Sequence, residues 1–140
     1  MSGFVVDASV TMAWCFADEA TAATWAILDR LESEGATVPS LWPLEVANIL
    51  AQAQRRQRTT AARIDRFVEQ LETLPLRIDD ETAARAWRAT LILARTERLT
   101  AYDAAYLELA LRRGLPLATR DLELRQAADR NGVGLLPADI

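Results

Sequence analysis

Two residue types are missing from this sequence of 140 residues, and each absence excludes a class of chemistry. There is no histidine, which removes the commonest general base, the Ser-His and Cys-His nucleophile pairs and zinc sites with imidazole ligands. There is no lysine either, so Schiff-base catalysis and a P-loop lysine are excluded. Any catalysis must therefore depend on carboxylates, hydroxyl groups or the backbone, with or without a bound metal.

Cysteine and long apolar runs are also scarce. The single cysteine, Cys15, cannot form an internal disulfide, which is typical of a reducing compartment, so we expect a cytoplasmic location. No apolar run approaches the roughly 20 residues that span a bilayer, and the N-terminus lacks the basic region of a signal peptide. We therefore expect no association with a membrane. The formal net charge of −4 argues against nonspecific binding to nucleic acid but allows a local basic face.

The sequence does contain a regular alternation of short apolar runs and longer amphipathic stretches. Its length and ordinary globular composition predict one domain over residues 1–140. Short strands are predicted at residues 4–6, 37–38, 76–78, 115–118 and 133–136. Helices are predicted over residues 9–16, 19–34, from 43 onward, 60–73, 80–95, from 100 to just before 114, and 121–130. This order predicts an α/β fold with a central parallel sheet of four to five strands, flanked by helices on both faces.

Four acids follow predicted strands or lie at the start of the helices after them. Asp7 directly follows the first strand, and Asp121 closely follows the fourth. Glu45 and Asp103 each lie in the first turn of a predicted helix. Because the ligand crevice of a parallel α/β sheet lies at the carboxyl ends of its strands, we expect these four acids to share one rim of the sheet.

Each of these acids also has a purely structural interpretation. Asp7 and Asp121 are well placed to cap the helices that follow them, and Asp103 lies three residues after Thr100, close to a capping-box arrangement. Glu45 differs because its neighbours are nearly all apolar, so its charge needs a partner, and no basic residue at helical spacing supplies one. A divalent cation is the best partner for several converging carboxylates without an arginine nearby.

Other acids compete for the same role. Asp79 and Asp80 follow the third predicted strand, and we interpret them as caps of the next helix because little around them indicates burial. Six glutamates lie among polar neighbours and are expected to be solvated: Glu19, Glu32, Glu34, Glu69, Glu72 and Glu97. The pattern predicts an acidic rim but does not by itself select its members.

Four segments carry a resemblance to a known family. They are residues 4–10 (FVVDASV), 41–48 (LWPLEVAN), 99–110 (LTAYDAAYLELA) and 117–121 (LATRD). In order and in residue type they resemble the motifs of PIN-domain proteins, and more narrowly those of VapC-type toxins of bacterial toxin–antitoxin pairs. The third segment is the most specific, the set spans nearly the whole chain, and no segment lacks its acid.

The resemblance implies a PIN-like fold and RNA cleavage with Mg²⁺ or Mn²⁺ at a quartet of acids, Asp7, Glu45, Asp103 and Asp121. It implies that Thr119 supports the last acid, and that Ser9 and Asn48 are further supporting or substrate-orienting groups. It also implies a homodimer and a VapB-type antitoxin that blocks the site.

A site without histidine or lysine is able to hydrolyse a phosphodiester if carboxylates hold one or two hard cations. We assign Asp7 and Asp103 as direct metal ligands and Asp121 as a direct or water-mediated ligand. Glu45 is then the acid that orients or deprotonates the attacking water. The number of ions is left open.

Arginines and tryptophans offer candidate contacts to RNA. Arg55, Arg56 and Arg58 cluster at the end of the helix that carries Glu45, and Arg63 and Arg66 follow. These arginines fit a phosphate-contacting rim, a surface covered by the antitoxin, or a solvated helix end favoured by the helix dipole. The four tryptophans are interpreted as core or dimer-interface residues rather than as platforms for RNA bases: Trp14, Trp25, Trp42 and Trp87.

The sequence lacks residues that two other classes of protein with acids at strand ends require. A response-regulator receiver needs a lysine that the chain lacks, and a haloacid-type phosphatase needs an aspartate where Ser9 stands. Two alternatives stay open. One is a PIN nuclease of RNA processing or decay that is not a toxin, and the other is a catalytically silent PIN-like module that binds a protein or RNA.

Overall fold

Five short parallel strands organise the chain in a computed structural model that describes residues 3–138. They are ordered β3-β2-β1-β4-β5, and all neighbouring pairs are parallel. The central strand β1 has no exposed surface, as expected for a strand of a covered parallel sheet. The strands are β1 (Phe4–Val6), β2 (Ala36–Val38), β3 (Leu76–Ile78), β4 (Leu117–Ala118) and β5 (Leu135–Leu136).

Helices connect and flank these strands, so the predicted α/β fold class is confirmed. They are α1 (Ala8–Cys15), α2 (Ala22–Glu34), α3 (Trp42–Arg55), α4 (Ala61–Glu72), α5 (Thr82–Arg85), α6 (Leu91–Glu97), α7 (Ala101–Arg113) and α8 (Leu122–Arg130). Within residues 3–138, none of the helices combines the length and the apolar character that a membrane span requires.

Local residue chemistry sets several helix boundaries. Thr21 and Thr60 accept hydrogen bonds from the first turns of α2 and α4, as expected of threonine at an N-cap. Gly35 ends α2 with a φ of 79°, and a Cβ atom there would lie 3.1 Å from the carbonyl oxygen of Pro75. Backbone strain and lack of space therefore both require glycine at this position. Gly114 ends α7 in the left-handed conformation, as predicted from its place after the helix.

The helix predicted over residues 80–95 is interrupted in the structure. Its middle is a π-helical stretch, Ala86–Thr90, between α5 and α6, and the backbone N–H of Leu91 donates to the carbonyl oxygen of Ala86. A π-helical turn holds one extra residue, and a search for α-helical periodicity does not detect such an insertion.

The strand order creates a crevice beside β1. From β1 the sheet extends through β2 to β3 on one side, and through β4 to β5 on the other. In sheets of this type the connections diverge at such a switch point and leave a crevice at the carboxyl ends of the strands. The backbone N–H of Asp7 donates to the carbonyl oxygen of Ala118 at 3.1 Å, so the residues that follow β1 and β4 are adjacent at this crevice.

Helix α7 brings a third segment to the crevice. Residues 104–110 are all buried, and the helix packs against β1, β4, α6 and α8. Asp103 immediately precedes this buried run, in the first turn of the helix. Packing of α7 therefore determines where the Asp103 carboxylate lies.

Candidate active site

Asp7 is held by hydrogen bonds to both of its carboxylate oxygens where β1 ends. Its Oδ1 accepts from the Ser9 hydroxyl at 2.7 Å and from the backbone N–H of Val10 at 3.1 Å. Its Oδ2 accepts from the Thr119 hydroxyl at 2.5 Å. Burial raises the pKa of the Asp7 carboxyl, and the hydrogen bonds from Thr119 and Ser9 counteract part of that rise. Asp7 thus caps α1 and also presents a fixed carboxylate to the crevice.

Thr119 lies between two of the predicted acids. Its hydroxyl donates to Asp7 and accepts from the backbone N–H of Asp121 at 3.0 Å. Asp121 in turn caps α8, since its Oδ1 accepts from the backbone N–H of Leu124 at 3.0 Å. The resemblance implied that Thr119 supports the last acid. In the structure its hydroxyl contacts the backbone of Asp121 and also donates to the first acid, Asp7.

Glu45 has a partner that sequence reasoning missed. The hydroxyl of Tyr106, a residue of α7 that is 1% exposed, donates a short hydrogen bond to Glu45 Oε1. The partner of Glu45 is a neutral hydroxyl group, whereas the sequence pattern was interpreted for basic partners alone. The signal that was available is the spacing of Tyr106, which lies three residues after Asp103 and therefore on the same face of the helix.

The hydrogen bond between Glu45 and Tyr106 affects the pKa of both side chains. Burial raises the pKa of Glu45, the Tyr106 hydrogen bond opposes this rise, and the negative charge of Asp7 adds to it. Burial and the bond to Glu45 raise the pKa of Tyr106 well above its ordinary range. The tyrosine therefore stays protonated and acts as a hydrogen-bond donor at physiological pH.

The carboxyl group of Asp103 interacts electrostatically with the other three predicted acids. Its pKa is raised to about 6, first by burial and then by the negative charges of Asp121, Asp7, Glu45 and Glu123. The first three of these charges belong to the predicted quartet. Glu123, in the first turn of α8, is an additional acid that the sequence did not single out. Thr100 caps α7 by accepting from the backbone N–H of Asp103 at 3.1 Å, which leaves the Asp103 carboxylate available to the crevice.

Comparisons with known proteins identify the family to which this fold belongs. The sequence matches the PIN domain family over residues 4–130. The chain belongs to the PIN domain family. Among solved structures, this PIN domain is similar to PAE2754 from Pyrobaculum aerophilum, with 25% identity over 89% of this chain and 84% of that chain and a TM-score of 0.67. It shares its fold with FitAcB from Neisseria gonorrhoeae, with 20% identity over 98% of this chain and 99% of that chain and a TM-score of 0.63. A comparison with curated protein sequences gives no match.

PIN domains are generally metal-dependent nucleases, and the donor set of this PIN domain fits a hard divalent cation. Within residues 3–138, none of the four acids forms an ion pair with an arginine. Converging carboxylates without a cation repel one another, which is the cause of part of the pKa rise at Asp103. Carboxylate oxygens are the ligands that Mg²⁺ and Mn²⁺ prefer.

A second acidic group of this PIN domain lies at the end of β3. Among the residues described, Asp79, Asp80 and Glu81 are the three acids whose oxygens lie within 4.8 Å of one another, so no three of the quartet approach so closely. Asp79 is 1% exposed, and its oxygens lie 2.7 Å from Arg112 Nη2 and 3.2 Å from Arg113 Nη2. Because two guanidinium groups already neutralise Asp79, we interpret this group as an ion-pair network.

The interpretation of Asp79 as a helix cap in surroundings without burial was therefore wrong. Its carboxylate is buried and does accept from the backbone N–H of Glu81 at 3.2 Å, but the hydrogen bonds from Arg112 hold its pKa below its ordinary value. Arg112 lies in the last turn of α7, 33 residues away in the sequence. Local sequence pattern gives no indication of a partner at that distance.

The other predicted supporting residues occupy different surroundings. Ser9 contacts Asp7, as described above, and its hydroxyl also accepts from the backbone N–H of Arg120 at 3.0 Å. Asn48 is exposed on α3, and within residues 3–138 no hydrogen bond joins it to the four acids. No contact among the described residues therefore supports the assignment of Asn48 as a supporting group.

The three predicted contact arginines also differ from one another. Arg55 and Arg56 are exposed at the end of α3. Arg58 instead lies 2.9 Å from Asp18 Oδ1 and 2.7 Å from Glu19 Oε2. Glu19, which was expected to be solvated, is therefore ion-paired. The same correction applies to Glu97, whose carboxylate lies 2.7 Å from Arg130 Nη2.

The tryptophans divide into buried and exposed pairs. Trp14 and Trp42 are buried, and the indole N–H of Trp42 donates to the Thr11 hydroxyl at 3.1 Å. Trp25 is 45% exposed and Trp87 is 87% exposed. Trp14 and Trp42 are therefore core residues, whereas Trp25 and Trp87 lie outside the core and their assignment to a dimer interface stays a prediction.

Proposed function

We propose that this PIN domain is a Mg²⁺- or Mn²⁺-dependent endoribonuclease that hydrolyses RNA phosphodiester bonds. We further propose that it acts as the toxin of a VapBC-type pair, as a homodimer and with a VapB-type antitoxin as its partner. The observation that carries the nuclease proposal is the convergence of four acids without a cationic partner at the switch point of the sheet. The toxin role is supported by the order and residue types of the four sequence motifs.

When bound, a divalent ion supplies a water nucleophile at neutral pH and stabilises charge on the phosphoryl oxygens. Asp7 is the best oriented of the candidate ligands because hydrogen bonds hold both of its oxygens. Asp103 supplies a second carboxylate at the start of a tightly packed helix. Oδ1 of Asp121 caps α8. Its Oδ2 would therefore be the oxygen that binds the metal ion, either directly or through a water molecule.

Glu45 is suited to accept a proton from the attacking water. Its Oε1 is occupied by the Tyr106 hydroxyl, which leaves Oε2 for water. Burial raises its pKa, and a raised carboxylate pKa brings a general base closer to the operating pH. Tyr106 thus selects which oxygen of Glu45 is available.

Cleavage of RNA by the purified protein tests the nuclease proposal. We expect cleavage of single-stranded RNA that requires Mg²⁺ or Mn²⁺ and falls by at least roughly 100-fold in Asp7→Asn, since a candidate metal ligand is lost. Asp80→Asn, a change of an exposed acid in the β3 group, is the matched control and should cleave normally. Cleavage that survives Asp7→Asn, or none by the unmodified protein with either metal, would reject the proposal.

Induced expression in bacteria tests the toxin role separately. A toxin should arrest growth, and Asp103→Asn should relieve the arrest while Asp80→Asn should not. RNA cleavage in vitro without growth arrest would favour a PIN nuclease of RNA processing or decay. Absence of both effects would favour a catalytically silent binding module.

A further inference from the structure

A polar cavity of about 640 Å³ lies outside the acidic crevice, between the end of α1 and helix α4. Three arginines, Arg58, Arg63 and Arg66, line it together with a single acid, Asp18. Its lining is therefore net positive, although the whole chain carries a formal charge of −4. We call this cavity the arginine pocket.

Two of its arginines are available to a ligand. Arg63 and Arg66 are three residues apart on α4, so their side chains lie on the same face of the helix. Both are exposed, and within residues 3–138 neither forms an ion pair. Their charges are therefore not neutralised by an acid of the described chain.

The third arginine is held in place. The guanidinium carbon of Arg58 lies 3.8 Å from the centre of the Phe16 ring, and its Nη2 lies 2.7 Å from Glu19 Oε2. Phe67 also lines the pocket and is buried. The pocket thus combines a buried aromatic ring and an ion-paired arginine with two exposed arginines that form no ion pair within residues 3–138.

A continuous chain of contacts joins the arginine pocket to the acidic crevice. Glu19 accepts from Arg58 through Oε2 and from Arg120 Nη2 through Oε1 at 2.7 Å. Arg120 also donates to the backbone oxygen of Ser9, whose hydroxyl donates to Asp7. The arginine pocket and the acidic crevice are therefore neighbouring regions of the molecule, joined through Glu19, Arg120 and Ser9.

We propose that the arginine pocket binds backbone phosphates of single-stranded RNA outside the bond that is cleaved. The inference rests on the proposed ribonuclease function and adds a second RNA-binding site to it. Guanidinium groups are well suited to phosphate oxygens, and the contact chain to Asp7 favours the substrate polymer over an unrelated acidic ligand.

Binding of RNA without cleavage provides the test. All proteins carry Asp7→Asn to suppress cleavage, and the probe is a fluorescein-labelled single-stranded RNA of mixed sequence. Fluorescence anisotropy measures its affinity over a range of NaCl concentrations. The variant is Arg63→Ala/Arg66→Ala, and the control is Arg88→Ala/Arg95→Ala, which removes the same charge from exposed positions outside the pocket. Circular dichroism melting checks that both variants are folded.

We expect the Arg63→Ala/Arg66→Ala variant to bind RNA about tenfold more weakly at low salt. The slope of log K against log salt should fall by about 1.4, because each phosphate contact to a single strand contributes about 0.7. The control should change the affinity less than about twofold. An equal loss in the two variants would show only an effect of net charge and would overturn the proposal.

Two further measurements separate the ways in which the proposal can fail. Unchanged RNA binding by the Arg63→Ala/Arg66→Ala variant, combined with weaker binding of fluorescein-labelled polyglutamate, would assign the pocket to an acidic protein segment and overturn the inference. RNA cleavage by the chain without substitutions is measured in parallel. Cleavage together with unchanged binding by the variant rejects the pocket alone, whereas pocket-dependent binding without cleavage rejects the ribonuclease proposal alone.

Discussion

Asp103 lies where several negative charges converge, and its pKa of about 6 reflects burial and the charges of Asp121, Asp7, Glu45 and Glu123. A carboxyl whose pKa is higher in the folded state than in the unfolded state destabilises the fold wherever it is ionised. At pH 7 the ionised Asp103 therefore lowers the stability of the metal-free protein, and protonation relieves this effect as the pH falls through about 6.

We expect Asp103→Asn to raise the melting temperature of the metal-free protein at pH 7. The gain in free energy of unfolding should be on the order of 1–2 kcal/mol, less than the full pKa shift would give, because solvent screens part of the interaction. Calorimetry in the presence of EDTA at pH 7 and pH 5 measures the effect, which should shrink at the lower pH. Asp80→Asn should have little effect at either pH. A lower melting temperature for Asp103→Asn at pH 7 would contradict the charge-repulsion interpretation.

Tyr106 orients Glu45 without facing solvent itself. Removal of its hydroxyl in Tyr106→Phe leaves the packing ring in place but releases Glu45 Oε1. We expect kcat for RNA cleavage to fall roughly tenfold with a smaller change in KM, and stability to fall by about 1 kcal/mol, the net value of one hydrogen bond. The measurement is steady-state kinetics with Mn²⁺.

Two controls make this prediction specific. Tyr102→Phe removes a hydroxyl from an exposed tyrosine of the same helix and should leave kcat unchanged. In a Glu45→Gln background, Tyr106→Phe should cause little further loss of kcat, because the group that it orients is already disabled. Additive losses in the double variant would show that Tyr106 acts independently of Glu45.

At the scale of secondary-structure elements, an ion-pair network joins the end of β3 to the last turns of α7. Arg112 lies 2.7 Å from Asp79 Oδ2 and 2.9 Å from Glu108 Oε2, and all three side chains are largely buried. The same helix carries Asp103 and Tyr106 at its other end. The network therefore anchors the helix that positions two groups of the candidate active site.

We expect Asp79→Asn to destabilise the fold by roughly 3 kcal/mol at pH 7, because it removes a carboxylate that neutralises both Arg112 and Arg113 and leaves Arg112 dependent on Glu108. The pKa of Asp79 lies below its ordinary value of 3.8, so its stabilising contribution is present above that value and disappears as the pH falls through the lower, folded-state pKa. The destabilisation should thus shrink below about pH 4. Urea unfolding between pH 7 and pH 3 measures it, with Asp80→Asn as control. Equal stability of Asp79→Asn and the unmodified protein at pH 7 would refute the assigned role.

At the scale of the whole molecule, the strand order brings acids together that lie more than a hundred residues apart in the chain. A ligand that binds only the folded state stabilises it by about 2.7 kcal/mol at a concentration of 100 Kd. Bound metal also relieves repulsion among the acids. The folded protein should therefore be more stable when metal is present.

We expect millimolar Mg²⁺ or Mn²⁺ to raise the melting temperature by several degrees, as measured by differential scanning fluorimetry. Asp7→Asn should abolish this shift, while Glu81→Gln, in the acidic group at the end of β3, should retain it. The opposite pattern would move the metal site to the Asp79, Asp80 and Glu81 group. No shift in the unmodified protein would argue against a metal site at either place.

The sequence by itself determined the class of chemistry and the class of fold. The lack of histidine and lysine left carboxylates and metal as the plausible catalytic groups, and apolar periodicity is local enough to predict strands and helices. Parallel-sheet topology then predicted an acidic rim. It did not distinguish Asp7 from Asp79, and motif resemblance made that choice.

The partner of each charged or polar group was not evident until the chain was seen folded. Asp79 and Asp7 both follow a strand. Asp79 forms ion pairs with Arg112 and Arg113 at the end of α7. Asp7 instead accepts hydrogen bonds from the hydroxyls of Ser9 and Thr119. Ser9 is a sequence neighbour of Asp7, but Thr119 lies 112 residues away and reaches Asp7 because β1 pairs with β4. The two arginines reach Asp79 through the packing of α7. Whether a carboxylate is neutralised or left available to a metal is therefore a property of the folded chain.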